Sequence, residues 1–298
     1  MALSSPAATY YVTVAGLGGS PEYETQFAQW AAAIDHELRA NGPNAHVETI
    51  SGTSATRQHV REVLARIARD SQPEDAFALF LLGHGTFDGA DYKFNLPGPD
   101  ITASDLGSLL NRLPPRRQLV VNMTSASGAS LSALARKNRI VITATKSGNE
   151  KNATVFARYW VDALRDPAAD ANKNGTISAL EAYRYAERKT AAYFETEKIL
   201  ATEHAIFSDT GTANGMRNPN PENGQGLVAA AFPLMQSHPE AAKNARPEKQ
   251  RLLARKEELE AKIDRLKYQK AALAADEYKQ LLTALLLELA RTQAEIDR

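Results

Sequence analysis

The sequence contains no cysteine. That absence excludes disulfides, a thiolate nucleophile and cysteine-ligated zinc. Charge of one sign is also lacking: 35 Lys and Arg stand against 35 Asp and Glu, a formal net charge of zero. No bulk field therefore favours nucleic acid or an anionic membrane, and nucleic acid is not expected as a partner. No apolar run approaches the roughly 20 residues of a membrane span, so none is expected. The start, Met1 to Ala8, has neither a charged n-region nor a long apolar stretch, so it does not read as a signal peptide. The trimmed start of an exported chain would look the same. Dinucleotide and Walker signatures are missing too, so Leu17-Gly18-Gly19-Ser20 is not expected to cradle a phosphate. What is present is ordinary for a globular chain: 298 residues, 43% hydrophobic and 23% charged. That length suffices for one large or two smaller domains with a real core.

Short apolar runs closed by glycine or small polar residues alternate with helical patterns. Strands are expected at Tyr10 to Gly16, Ala45 to Ile50, Ala76 to Leu82, Gln118 to Met123 and Arg139 to Ala144. A short rim strand is expected at Asp91 to Leu96, and a last strand at Leu227 to Phe232. Helices fit Tyr23 to Ala40, Thr56 to Asp70, Thr102 to Pro114, Ala129 to Arg136, Ala153 to Leu164 and Ala179 to Leu200. Such alternation implies a three-layer α/β/α domain around a mostly parallel sheet. Asp209 to Gly215 reads as a plain surface loop, and Gln236 to Arg246 as a linker. Lys249 to Gln269 and Glu277 to Asp297, joined by a turn at Ala271 to Asp276, read as an antiparallel helical hairpin. The expected division is thus 1–235 for the α/β domain and 236–298 for the hairpin. The run Leu285-Leu286-Leu287 is too apolar for a solitary hairpin, which should pack on the main domain or on a second copy as a homodimer.

Two clusters stand where an α/β sheet places its chemistry, beyond the carboxyl ends of its strands. Gly83-His84-Gly85-Thr86 follows the third strand, and Thr124-Ser125-Ala126-Ser127-Gly128 follows the fourth. Read alone, His84 is a turn histidine bonded to backbone, and Thr124, Ser125 and Ser127 are helix caps ahead of Ala129. Read together, a base stands beside a hydroxyl.

In this strand order, the Ala-Gly after strand one, the His-Gly after strand three and the Ser-Gly turn after strand four resemble the clan CD cysteine peptidases. The legumain type is most similar, and caspases and gingipains are relatives. The resemblance covers about Tyr10 to Ala163. It implies that His84 is the general base, that the Gly85 amide helps form the oxyanion hole, and that Ser125 stands where the nucleophilic cysteine would be. It also implies two departures. Serine is a far weaker nucleophile than cysteine without a strong base and a well-placed oxyanion hole. Gly18 replaces the asparagine that orients the histidine in legumains. By the same resemblance, Glu22 and Glu24 would line the pocket for the residue before the cut, with Lys146 to Glu150 as the opposite wall. Acids there would favour Lys or Arg. Read alone, the two glutamates are solvated carboxylates at a helix start.

Asp170 to Glu181, DANKNGTISALE, matches the calcium loop of an EF-hand. Asp170, Asn172 and Asn174 occupy positions one, three and five, with Gly175 at the sharp turn. Thr176 offers a carbonyl, Ser178 a side chain or a water, and Glu181 the bidentate carboxylate. Calcium is the expected structural cofactor, bound weakly because only two of these side chains are charged. An Asn-rich turn between helices is the alternative. A weak calcium loop suits a calcium-rich space, periplasmic or outside the cell. The expected function is a pseudopeptidase, a scaffold that binds a peptide or protein and is stabilised by calcium. The alternatives are an active serine-type endopeptidase using Ser125 and His84, favouring basic residues before the cut, or a cysteine enzyme whose nucleophile has been replaced.

Overall fold

A computed structural model of the chain describes residues 7–236 and 247–297. Its centre is a six-stranded sheet. The strands β1 (Thr9–Ala15), β2 (Ala45–Ile50), β3 (Ala76–Leu82), β7 (Arg117–Asn122), β8 (Arg139–Thr143) and β10 (Ile206–Ser208) lie in the order β10-β8-β7-β3-β1-β2. The first five run parallel, and β10 closes the sheet antiparallel to β8. Every residue of β3 and β8 is buried. That is why these strands read as unbroken apolar runs rather than alternating ones.

Both faces are covered by helices. On one, α1 (Pro21–Arg39), α5 (Phe156–Ala163) and α6 (Ala179–Glu197) pack Phe27, Ile34, Trp160 and Tyr183 against Phe80, Leu119 and Ile142. On the other, α2 (Arg57–Asp70), α3 (Ala103–Leu110) and α4 (Leu131–Leu134) pack Val63, Leu106 and Leu134 against Phe77, Leu79 and Val120. This is the expected three-layer α/β/α arrangement with a mostly parallel sheet. A small antiparallel sheet of β4 (Gly85–Phe87), β5 (Tyr92–Phe94) and β6 (Ile101–Thr102) leaves the end of β3 and rims the site.

Some elements differ from expectation. Leu227 to Phe232 is not a strand: α7 (Leu227–Ala230) starts there, its first amides taken by Asp209. Asp209 is buried by these contacts, while Thr210, Thr212, Ala213 and Asn214 are exposed, so the rest of the segment is the expected surface loop. The sheet's last strand is β10, three residues long, too short to show a period. A final strand, β11 (Pro233–Gln236), pairs instead with β9 (Thr176–Ser178). The expected helix at Ala129 to Arg136 shrinks to α4 behind a tight 3-10 turn at Ser127–Ser130.

The C-terminal hairpin is formed by α8 (Pro247–Gln269) and α9 (Ala275–Ile296). Leu259, Ile263 and Leu266 are buried, and the Tyr268 hydroxyl donates to the Gln225 carbonyl (2.8 Å), fastening α8 to the main domain. Leu281, Leu286 and Leu287 of α9 remain exposed. The expected linker lies outside the described residues except for Gln236, and so do residues 1–6. Among the described residues, no helix is long and apolar enough to cross a membrane.

One buried cation ties the sheet to its lower helices. Arg139 is 1% exposed and donates to the Gln118 amide oxygen, the Leu134 carbonyl and the Asn111 side-chain oxygen at 2.8 to 2.9 Å. Burial, with Arg136 nearby, pulls its pKa down to about 10. Arg139→Ala strands two buried acceptors, the Gln118 amide oxygen and the Leu134 carbonyl, so it should cost about 3 kcal/mol in urea unfolding. A loss below about 1 kcal/mol would mean that this network does not hold the sheet edge.

Candidate functional site

The site forms where β3 and β7 end side by side. Gly83 leaves β3 at φ +139, a conformation that side chains resist, with the Gly16 backbone 3.4 Å from where a Cβ would sit. The chain then presents His84 and re-enters as β4 at Gly85. A Cβ on Gly85 would stand 2.5 Å from the Ser125 carbonyl oxygen and from the Tyr92 ring, so only glycine fits. Across from it, β7 runs into Thr124 and Ser125, and Ala126 turns the chain at φ +56, a left-handed conformation in a fully buried residue.

His84 is held from three sides. Its Nε2 lies 3.1 Å from the Gly18 carbonyl, and its ring meets Tyr23 and Phe27 edge-on at 4.9 and 5.3 Å. A carbonyl oxygen only accepts, so Nε2 carries a proton, and Nδ1 is the basic nitrogen of the neutral ring. Gly18 has no side chain to orient the ring, and its backbone carbonyl does so instead. Glu24 in turn accepts the Gly18 N–H (2.8 Å) and fixes that turn.

Ser125 is 2% exposed and hydrogen-bonds with Gly85 twice: its Oγ accepts from the Gly85 N–H (3.1 Å) and donates to the Gly85 carbonyl (3.0 Å). The single hydroxyl proton thus goes to a backbone carbonyl, and the Gly85 amide is already taken. Among the described residues, no hydrogen bond joins Ser125 to His84. Neighbouring polar groups form a closed network. Thr124 and Tyr92 hydroxyls meet the Asn122 side-chain oxygen, Asn122 Nδ2 donates to Ser130 Oγ, and Ser127 Oγ meets Thr145. Burial pushes the Tyr92 pKa up to about 12. Thr124, Ser125 and Ser127 do not cap a helix: neither the 3-10 turn nor α4 has a side-chain cap. The Ser125 and Ser127 hydroxyls are spent on Gly85 and Thr145, and that of Thr124 on Asn122 and Tyr92.

The three expected pocket residues are not brought together. Glu24 serves the Gly18 turn. Lys146 is exposed and sits beside Glu150, its Nζ 3.7 Å from that carboxylate. Glu22 opens into a separate cavity with Tyr23, Trp30 and Tyr193.

Sequence reasoning missed Glu203 and His204, and placed Glu150 only at the end of a pocket wall. The Glu150 carbonyl accepts the Ala126 N–H (2.7 Å), pinning the Ser125 turn, while its carboxylate meets His204 Nδ1 and the His204 N–H. Glu203 accepts the Val155 and Phe156 amides at the start of α5. Between 24 and 54 residues separate these partners, so no local spacing reveals them.

In the loop of residues 170–181, Lys173 and Gly175 take positive φ of 57 and 86. Asp170 accepts the Asn174 and Gly175 amides, and Asn174 accepts that of Thr176. Glu181 reaches back to the Ala171 and Asn172 amides through one oxygen and to Ser178 through the other. Positions one, three, five and twelve are thus drawn toward one another, an all-oxygen set that suits a hard cation. Only two of these groups are acids, and among the described residues no group of three His, Cys, Asp or Glu that could hold a metal occurs. Calcium here would depend on amide and carbonyl oxygens as much as on charge.

Fold and site together define a mostly parallel α/β/α protein with a histidine turn and a serine turn packed against each other. No family model matches the chain, and no curated protein does. Among solved structures it is similar to the protein GSU0716 from Geobacter sulfurreducens (12% identity, TM-score 0.46, covering 74% of this chain and 97% of that one). It is similar to the Drosophila initiator caspase Dronc (9% identity, TM-score 0.43, covering 70% and 82%). It also shares 11% identity with Chaetomium thermophilum Raptor (TM-score 0.40, covering 55% and 18%).

Burial pushes the Glu203 carboxyl up to about 7, with Glu150 adding in the same direction. A raised carboxyl binds its proton more tightly in the folded state, so its contribution is complete below the unfolded value near 4.5 and is lost as pH rises through 7. Glu203→Gln should remove this fall, about 3 kcal/mol between pH 4.5 and 7, from the difference between the two stability profiles. Parallel profiles would show that Glu203 does not titrate in this range.

Proposed function

We propose that this chain is a caspase- or legumain-like protein without peptidase activity, which binds a peptide or protein partner at the His84–Ser125 edge. The observation that carries the reading is the Ser125 hydroxyl, buried and closed on both sides by Gly85. A nucleophile needs its proton aimed at a base and a free amide for the oxyanion. Here the proton points to a carbonyl, and the amide is already paired with the would-be nucleophile.

One observation favours the second reading, a serine-type endopeptidase. The His84 ring is oriented by the Gly18 carbonyl and two aromatic edges, with Nδ1 as its basic nitrogen. In that case Ser125 would leave Gly85, give its proton to His84 and attack the peptide carbonyl, and the freed Gly85 amide would hold the oxyanion. In a screen against a peptide library with calcium, the native protein and Ser125→Ala should both be silent, and Ser125→Cys should gain activity if the rest of the cleft is intact. Cleavage by the native protein that is lost in Ser125→Ala would overturn the silent reading.

Calcium in the loop of residues 170–181 would brace the start of α6 against β11. With two acidic ligands its affinity belongs at the weak end of such loops, which fits a periplasmic or secreted setting. A second copy of the chain would dock on the exposed leucines of α9. Calorimetry should show calcium binding that is lost in Glu181→Gln, and equal heats from the two proteins would remove the loop as the site.

A further inference from the structure

A cavity of about 760 Å³ opens where the loop of residues 170–181, the start of α6, α7 and the middle of α8 meet. That volume lies within the roughly 300–1,000 Å³ of pockets that take small organic ligands. Its floor is apolar: Leu180 and Phe232 line it from the core, and Leu227 and Val228 reach it half-buried. Helical spacing brings charge to the rim. Arg184 and Arg188 stand one turn apart on α6, and Arg265 lies one turn beyond Ala261 on α8. Arg117, at the start of β7, and Lys267 complete the set of cations.

The balance on this wall is positive. Arg117, Arg184, Arg188, Arg265 and Lys267 line it together with Glu181, Glu260 and Asp264, five cations against three acids. Lys267 is answered by Asp264 at 2.8 Å. Glu181 is turned to its own loop, where it accepts the Ala171, Asn172 and Ser178 amides. Among the described residues, none of the four arginines forms an ion pair. Arg184 donates to the Pro219 carbonyl (2.7 Å), and the Arg188 guanidinium lies 5.9 Å from the centre of the Tyr185 ring. Neither contact cancels a charge. Guanidinium groups are planar forks that match the two oxygens of a carboxylate or phosphate.

We propose that this cavity binds an organic anion. Its apolar body would lie on Leu180, Leu227, Val228 and Phe232, and its carboxylate or phosphate head would be held by Arg184, Arg188 and Arg265. An inorganic anion would leave the apolar floor wet, and a neutral apolar molecule would leave the guanidinium charge unanswered. A cation would meet an excess of its own sign. Because α6 belongs to the main domain and α8 to the hairpin, the bound head would tie the two together, alongside the hydrogen bond from Tyr268 to Gln225. The site is separate from the His84–Ser125 edge and stands whether or not that edge is silent.

The full chain is titrated by calorimetry with octanoate, octyl phosphate, acetate and octylammonium. The buffer is a chloride buffer without calcium, so the result does not depend on whether the loop of residues 170–181 takes the ion. At least one of octanoate and octyl phosphate should bind and raise the melting midpoint, and the tighter of the two names the head group. Acetate lacks the body and octylammonium carries the opposite charge, so each should bind at least about tenfold more weakly. Arg188→Gln and Arg265→Gln, both at exposed positions with no ion pair to lose, should each weaken the tighter octyl anion about threefold, and together about tenfold. Circular dichroism checks that the variants fold. Octylammonium or acetate binding as tightly as the octyl anions would overturn the proposal. So would an unchanged affinity in the double variant, which would place the ligand elsewhere, such as on the exposed leucines of α9. Absence of heat from both octyl anions at millimolar concentration would overturn it as well.

Discussion

The close approach of Gly85 to Ser125 is the constraint on which the rest of the site depends. β3 is buried along its whole length, so it can only end by turning sharply, and Gly83 supplies the backbone freedom for that turn. The return strand then runs against the turn after β7, with no room for even a methyl group on Gly85. At that separation the Ser125 hydroxyl is the group that satisfies both the amide and the carbonyl of Gly85, two backbone groups that burial would otherwise leave unpaired. The contact that orders the cleft is thus the contact that occupies its hydroxyl. Catalysis would require breaking two hydrogen bonds in a residue that is 2% exposed, while binding requires neither to break.

The histidine side follows the opposite logic. Its orienting partner is backbone rather than side chain, the Gly18 carbonyl 3.1 Å from Nε2. A Cβ at Gly18 would meet the Glu24 backbone at 2.5 Å, and the Glu24 carboxylate holds the Gly18 amide. The turn is therefore fixed by close packing onto the first turn of α1. Tyr23, on the same turn, touches both His84 and the aromatic cavity. The start of α1 positions the histidine and shapes the adjacent pocket at once.

What the sequence made legible was what its local pattern encodes. Strands β3, β7 and β8 stood out because strands buried on both faces must be apolar at nearly every position, whereas the edge strand β2 is buried only at Ile50. The 12-residue loop stood out because its turn demands glycine at one place and oxygens at others. The edge strand β10 did not, since three residues carry no period. Nor did α7, which exists because the buried carboxylate of Asp209 accepts its amides across seventeen or more residues. The same limit explains the site. His84, Gly85 and Ser125 were placed at one sheet edge by strand order alone. Which way the Ser125 proton points depends on contacts forty residues apart in sequence and fixed only by packing.

The loop of residues 170–181 holds its conformation without a ligand. Each acidic oxygen of Asp170 and Glu181 named above already accepts loop amides, so the positive-φ turn and the start of α6 are satisfied without a cation. A cation would then bind a shape already formed and would add stability only as RT ln(1 + [Ca]/Kd). The added stability would act on more than the loop. β9 within it pairs with β11, the Leu234 carbonyl of β11 accepts from Asn41 at the end of α1 (2.6 Å), and α8 is fastened through Tyr268 to the segment just before α7. Loop, last strand and hairpin root therefore form one connected layer. A change at Glu181 is therefore transmitted to the end of α1 and to α8.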